Sequence, residues 1–387
     1  MKLKKIRFDN HKILNNLEID FCEKGGKVLN TLVIIGENGA GKTTLLKNIF
    51  EFMNADERDF SRENSIGLIE NSRGILSLDV SNNEYGKLQT RFMYGDFEVN
   101  RLDFKVVYMP AEISFDSLKK VDNTFKLSHS FLNIVDQNIT ENIPSFIATK
   151  INKEIFKNRN KIIGEVIDGV CNDINNIFDC MDIDVKLIGL SENEETKPIF
   201  KNSLGKEFDI NGLSSGEKQL FLRALSLKFL EVNNSIILID EPEISLHPQW
   251  QSKIIKLYEN IGENNQLIIA THSPHIVGNI ESKQLRIMKK DNHGIVVING
   301  DDIDETYGQN IETILKGIMV IDNVRNDDIS NKLSKIYKLL EKNLFYTEEY
   351  NNLFEYLRKY LGDLDKDIMR IRLEESVRRK KADVKDK

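Results

Sequence analysis

The spacing of apolar and polar positions changes several times along this chain, and each change marks an element. Leu17-Glu18-Ile19-Asp20-Phe21 alternates strictly and Leu3–Phe8 roughly, the two-residue period of strands with one buried face. Asn30–Ile35 reads as a strand of the fully buried kind, ending in Gly36, and after Gly41 the run KTTLLKNIFEFM has helical spacing. From about Gly74 to Pro110 short strands return, separated by Asn-Asn and Tyr-Gly turns and closing on Phe104–Pro110. Residues from about 115 to 181 are predicted mostly helical. Ile151, Ile155, Ile162, Ile163, Val166, Val170, Ile174 and Ile177 recur there at three-to-four spacing. Short strands follow near Asp184–Ile188 and Pro198–Phe208, then a helix Ser215–Glu231 and a strand Ser235–Asp240. A helix from about Pro248, a strand Gln266–Thr271 and a hairpin pairing Leu285–Lys289 with Ile295–Ile298 come next. From Asp327 onward the spacing predicts two or three helices, broken near Thr347 and Gly362.

Composition narrows the class without naming a chemistry. With 40% hydrophobic and 30% charged residues in 387, the chain has the make-up of a soluble globular protein with ample core. A net charge of −7 argues against a surface coated for nucleic acid, though a local basic groove is compatible with it. Cys22, Cys171 and Cys180 fit no metal-ligand spacing and read as free thiols. The basic start MKLKKIRFDN is followed by no apolar run of signal-peptide length, and nothing approaches a bilayer span. The expected location is the cytoplasm, with no membrane partner.

Four segments carry chemistry. Gly36-Glu37-Asn38-Gly39-Ala40-Gly41-Lys42-Thr43 fits GxxxxGK[ST], after an apolar strand and opening a helix. Its glycines let successive N–H groups curl toward phosphate oxygens, and the helix start adds positive potential. Asn38, Gly39, Ala40, Gly41, Lys42, Thr43 and Thr44 are therefore the expected nucleotide contacts, with Lys42 on the β- and γ-phosphates and the Thr43 hydroxyl on Mg²⁺. Ser235–Glu241 is an apolar strand ending in two carboxylates. Buried beside the phosphate-loop strand, it would bring Asp240 to the metal, and Glu241 could take a proton from an attacking water. Leu213-Ser214-Ser215-Gly216-Glu217-Lys218-Gln219 offers a hydroxyl and bare backbone donors at a helix start, an anion site that also reads as a capping box. Ala270-Thr271-His272-Ser273-Pro274-His275 follows a further apolar strand, with His275 expected to be structural.

In that order and spacing the segments resemble the ABC ATPases. The resemblance implies an α/β, ABC-type P-loop head with a mixed sheet and flanking helices. It makes Ser214, Ser215, Gly216 and Glu217 the signature motif, which in that family faces the γ-phosphate held by a second subunit. It makes His272 the switch histidine, so that Lys42, Glu241 and His272 form the catalytic set. The stretches DEPE.SLHP.WQ and ATHSPHIV, with IRFDNHKILNNLEIDF, are similar to the SMC/RecF branch and to overcoming-lysogenisation-defect proteins. The tail TYGQNIETILKGIM before charged helices looks like the Septu-type PtuA ATPases of antiphage defence, which act with a separate HNH nuclease.

The expected organisation is residues 1–112 and 183–320 as two parts of the head, 113–182 as a compact helical insertion and 321–387 as a C-terminal helical region. ATP and Mg²⁺ are the implied cofactors. A homodimer or higher homo-oligomer, a separate HNH-type nuclease and DNA are the candidate partners. The family's glutamine loop should follow Val106–Tyr108, where Met109-Pro110-Ala111-Glu112 stands instead, leaving Glu112 as the candidate substitute. A nucleotide-locked scaffold and a RecF-like DNA-repair ATPase are the alternative functions. The acidic run Asp301, Asp302, Asp304, Glu305 reads as a solvated turn in preference to a metal site.

Overall fold

The computed structural model describes residues 2–9, 11–14, 16–53, 64–71, 74–82, 88–92, 105–113, 121, 132–192, 196–291, 294–321 and 324–385. Two compact units are present, Met1–Ile314 and Leu315–Lys387. Strands of the first unit, in chain order, begin with β1 (Lys2–Asp9), β2 (Leu17–Asp20), β3 (Thr31–Gly36), β4 (Asn64–Asn71), β5 (Gly74–Asn82), β6 (Leu88–Phe92), β7 (Val106–Met109) and β8 (Leu132–Ile134). They continue with β9 (Val185–Leu190), β10 (Pro198–Asn202), β11 (Glu207–Asp209), β12 (Ile236–Asp240), β13 (Gln266–Ala270), β14 (Leu285–Asp291) and β15 (Gly294–Asn299).

A seven-stranded sheet in the order β15-β14-β3-β13-β12-β7-β8 organises the unit. All its neighbours are parallel except the β14–β15 hairpin at one edge. Strands β12 and β13 are buried at every position, as continuous apolar runs must be when both sheet faces are covered. The helix Lys42–Met53 lies on one face and buries Leu45, Leu46, Ile49 and Phe52 among Leu32, Ile34, Ile236, Leu238 and Ile268. Each such side chain contributes about 1.5–3 kcal/mol of gross burial energy. A five-stranded antiparallel sheet, β2-β1-β4-β5-β6, and a small β11-β10-β9 sheet complete the strands. The buried Gln266 side chain joins β13 to β1, accepting from the Leu3 amide at 2.6 Å and donating to its carbonyl at 2.8 Å.

Three placements differ from the sequence reading. The strand ending in Asp240 does not lie directly beside the phosphate-loop strand, because β13 is inserted between them, in register with both. Residues 64–71 form a strand that their weak alternation around Gly67 did not announce. Leu132–Ile134 adds a strand to the edge of the main sheet within a region expected to be helical. The helices Ile143–Lys157 and Ile163–Asn175 do follow, the second running on through a tight turn to Met181. Asn175 fastens that second helix to β9 by bonds to both the amide and the carbonyl of Leu187, each 2.9 Å.

The second unit is a set of three packed helices, Asp327–Glu341, Glu348–Leu361 and Lys366–Lys385. Thr347 caps the middle one and Gly362 ends it, at the predicted breaks. Leu333, Ile336, Leu340, Phe345, Tyr350, Leu357, Ile368 and Ile371 form its core, whereas Val377 is 44% exposed. Arg325 bridges Asp365 and Asp367 at the turn between the last two helices. Among the described residues no helix is long and apolar enough to cross a membrane.

Candidate functional site

The site is assembled at the C-terminal edge of the parallel strands β3, β13 and β12, the edge where open α/β sheets place ligands. Gly36 closes β3, residues 37–41 turn, and Lys42 opens the helix. Gly41 needs to be glycine twice over: its φ is +89°, and a Cβ there would meet Leu14 at 3.1 Å and Ile295 at 3.2 Å. The β1–β2 turn that contains Lys12 is thereby brought against the phosphate loop through Ile13 and Leu14, with His11 Nδ1 accepting from both their amides. Glu37, Asn38 and Gly39 are exposed, Ala40 and Lys42 buried, Thr43 exposed and Thr44 half-buried.

Lys42 is the centre of the cluster. Its Nζ donates to the Gly36 carbonyl at 3.0 Å and lies 2.5 Å from His272 Nε2. Burial lowers the lysine pKa, while Glu241, Asp240 and Glu243 act in the opposite direction. Burial, and then the Lys42 charge, lowers the His272 pKa, so the imidazole is neutral and its Nε2 accepts from the lysine. Glu241 Oε1 stands 3.3 Å from the same nitrogen. With the ring neutral, this contact is not an ion pair.

Asp240 ends β12 and is 1% exposed. Burial raises its pKa against the hydrogen bond from Thr43 and the Lys42 charge. Its Oδ1 is buried without a hydrogen-bond partner, and so is the neighbouring Tyr108 hydroxyl, whose ionisation burial and Asp240 push upward. Glu241 turns the chain with φ at +45°, a strained value for a side chain of this size. Burial, and then the Glu243 carboxylate sharing its proton, push Glu241 up to about 8. A Thr43 hydroxyl, one buried carboxylate and an unmatched oxygen suit Mg²⁺, which keeps few protein ligands beside phosphate and water. Among the described residues no group of three or more His, Cys, Asp or Glu is placed to hold a metal by itself. Glu305 of the acidic run is instead a cap, accepting from the amides of Ser282, Thr306 and Tyr307.

The signature segment is built differently. Ser214 caps the Ser215–Phe229 helix in a full capping box with Glu217, whose Oε2 accepts from the Ser214 amide at 2.8 Å and hydroxyl at 2.7 Å. Ser214 and Ser215 are exposed, Gly216 is buried and Glu217 half-buried. Among the described residues no hydrogen bond of Ser214 or Glu217 reaches Lys42, Asp240, Glu241 or His272. The expected nucleotide residues thus fall into one assembled cluster and one separate, self-capped segment. Glu112 is exposed after β7, while Arg223 from the signature helix donates to the carbonyls of Pro110 and Ala111 just before it.

Four residues of this neighbourhood escaped the sequence reading. Glu243 was part of the DEPE run but was given no role, while Tyr108 and Arg223 sit in unremarkable local text and meet the site only through the fold. Lys290 brings its Nζ 3.3 Å from where a Cβ on Gly39 would stand, an extra cation beside the phosphate loop. The DEPE repeat of acids was a usable signal for Glu243 alone.

Several known proteins resemble this chain in sequence. Residues 92–278 match the family described as "AAA domain, putative AbiEii toxin, Type IV TA system". The Septu protein PtuA of Bacillus thuringiensis is 26% identical over 88% of this chain and 89% of its own length. The "Retron Vc95 probable ATPase" of Vibrio cholerae is 25% identical over 75% of this chain and 74% of its own. Among solved structures, the SMC head domain from Thermotoga maritima aligns with 77% of this chain and 99% of that one, at 15% identity and a TM-score of 0.45. With its motifs in order along a parallel sheet, this chain is similar to the AAA-domain family and to the Septu PtuA and retron ATPases.

Proposed function

We propose that the chain binds ATP with Mg²⁺, pairs head to tail with a second copy around the nucleotide, and hydrolyses it to control a separate effector in antiphage defence. The observation that carries this reading is the division of the site. Lys42, Asp240, Glu241 and His272 converge at one sheet edge, while the self-capped Ser214–Glu217 segment makes no hydrogen bond to them. A second anion site of this type has a use when another molecule supplies the triphosphate.

In the proposed reaction the phosphate-loop amides and Lys42 hold the β- and γ-phosphates, and Thr43 and Asp240 would hold Mg²⁺, which supplies charge neutralisation between them. Glu241, in its ionised form, orients water and accepts its proton, and His272 contacts the γ-phosphate. Relatives named Septu PtuA and retron ATPase support a defence setting, and "Endonuclease GajA" of Bacillus cereus, 23% identical over 80% of this chain, supports a nuclease as the effector.

A nucleotide-locked scaffold is the second reading, favoured by the exposure of Glu112 where a glutamine loop would be expected. Glu241→Gln protein separates the two. Under the first reading the substitution lowers phosphate release by about 10²–10⁴-fold and traps an ATP-dependent dimer that cross-links between Asn38→Cys of one copy and Ser214→Cys of the other. Unchanged phosphate release and defence activity favour the scaffold. Trapped dimers that never cross-link at these positions refute head-to-tail pairing. DNA affinity that requires ATP and falls steeply with salt would move the reading toward a RecF-like protein.

A further inference from the structure

Glu243 lies three residues beyond Asp240, on a turn set by the positive φ of Glu241 and the fixed φ of Pro242. That turn folds its carboxylate back against the exit of β13. Oε1 accepts from the Thr271 hydroxyl at 2.6 Å and from the His272 amide at 2.8 Å. The Thr271 hydroxyl in turn accepts from the Ser273 amide at 2.9 Å, and the Ser273 hydroxyl donates to Gln251 at 2.7 Å. Three consecutive residues around the histidine are therefore pinned to the segment that follows Glu241, and Oε1 of Glu243 is where the bonds meet. The other oxygen, Oε2, is buried and accepts from no amide or hydroxyl, and the same carboxylate faces Glu241, whose proton it shares.

The same segment touches the signature helix. A Cβ on Gly216 would lie 2.9 Å from the Ser245 carbonyl and 3.5 Å from the Trp250 ring, so only glycine permits the contact. Contacts thus run without a break from Gly216 through residues 245–243 to Thr271 and His272, and on to Lys42.

Resting on the ATPase reading above, we infer that Glu243 is a positioning residue for His272, fixing the histidine main chain to the segment on which the signature helix packs. A second molecule's nucleotide, engaged by this chain's signature segment, then bears on this chain's histidine through two hydrogen bonds to one carboxylate oxygen. Glu243 meets the reacting groups only through its neighbours, the His272 main chain and the Glu241 carboxyl.

Glu243→Ala and Glu243→Gln test this, because the amide keeps an acceptor where the methyl group does not. In ligand-free protein, hydrogen exchange at the His272 amide accelerates by about tenfold or more in Glu243→Ala and stays within about threefold of the original in Glu243→Gln. Under saturating ATP and Mg²⁺, Glu243→Ala lowers kcat by about tenfold with KM within about threefold, Glu243→Gln restores it, and Glu243→Ala adds no further loss in a His272→Ala background. Unchanged exchange in Glu243→Ala, or kcat losses that multiply with His272→Ala, would overturn the inference. Absence of turnover in the unaltered chain would instead refute the hydrolysis reading, while the exchange measurement still decides whether Glu243 holds His272.

Discussion

The phosphate-loop cluster and the start of the Ser215–Phe229 helix follow opposite electrostatic plans, although sequence assigns both to nucleotide. Around Lys42, three carboxylates, an imidazole and a phenol crowd at a buried sheet edge, with Asp240 Oδ1 and the Tyr108 hydroxyl left without a hydrogen bond. At the helix start the Ser214 and Glu217 amides are matched already, each by the other's side chain, at an exposed surface. Buried unmatched polar atoms are tolerated where a ligand will complete them, whereas exposed, self-capped ones cost nothing to keep. The contrast separates a half-site that grips its own ligand from one that presents a finished surface to another molecule.

Removing the centre of the first region is expected to have the largest effect. Lys42→Ala should weaken ATP binding by about 100-fold in titration calorimetry, since it deletes the buried cation of the phosphate loop. On the second region, Ser215→Arg adds bulk at an exposed position without touching the cluster. It should leave ATP affinity of the single chain within about threefold and weaken ATP-dependent pairing by about tenfold or more, as followed by light scattering. Equal loss of both properties in either variant would erase the distinction between the regions.

Much of the first region was readable in sequence because its residues are local to strand ends. GxxxxGKT, the Asp240-Glu241 pair and His272 each sit directly after a buried apolar run, and the runs fix the edge at which they emerge. The helix limits near Thr347 and Gly362 were readable for the same reason, since caps are local chemistry. Strand order was not readable. Nothing in Ser235–Glu241 says that β13 will intervene between it and β3, because pairing in a parallel sheet is decided by segments far apart in sequence. Glu243 and Tyr108 were missed on those grounds: one reaches the site by a backbone turn at positive φ, the other across a strand pair. The turns expected within residues 83–87 lie outside the described residues.

The crowding of the first region should also appear in the pH dependence of ligand-free stability. Glu241 is pushed from 4.5 to about 8 by burial and Glu243, so between these values the folded chain holds more protons than the unfolded one. Stability contributed by that proton is present below the unfolded value and lost as pH rises through the folded one. The thermal midpoint should fall by about 5 °C between pH 5 and pH 8, and Glu241→Gln should flatten the slope. A midpoint that rises across this window would mean that the carboxylates are better solvated than their burial implies.

The smallest effect belongs to the second region and is independent of pH. Ser214→Ala removes one side of the capping box, at about 0.5–2 kcal/mol, or about 2 °C in thermal midpoint. Because the lost bonds are at an exposed helix start, the loss should be the same at pH 6 and pH 8, and ATP should restore the midpoint of Ser214→Ala and unaltered protein by equal amounts in the unpaired state. A decrement that grows with pH would tie Ser214 to the titrating cluster around Lys42. The two regions would then be one electrostatic unit within a single chain, and the self-capped helix would no longer need a second molecule to explain it.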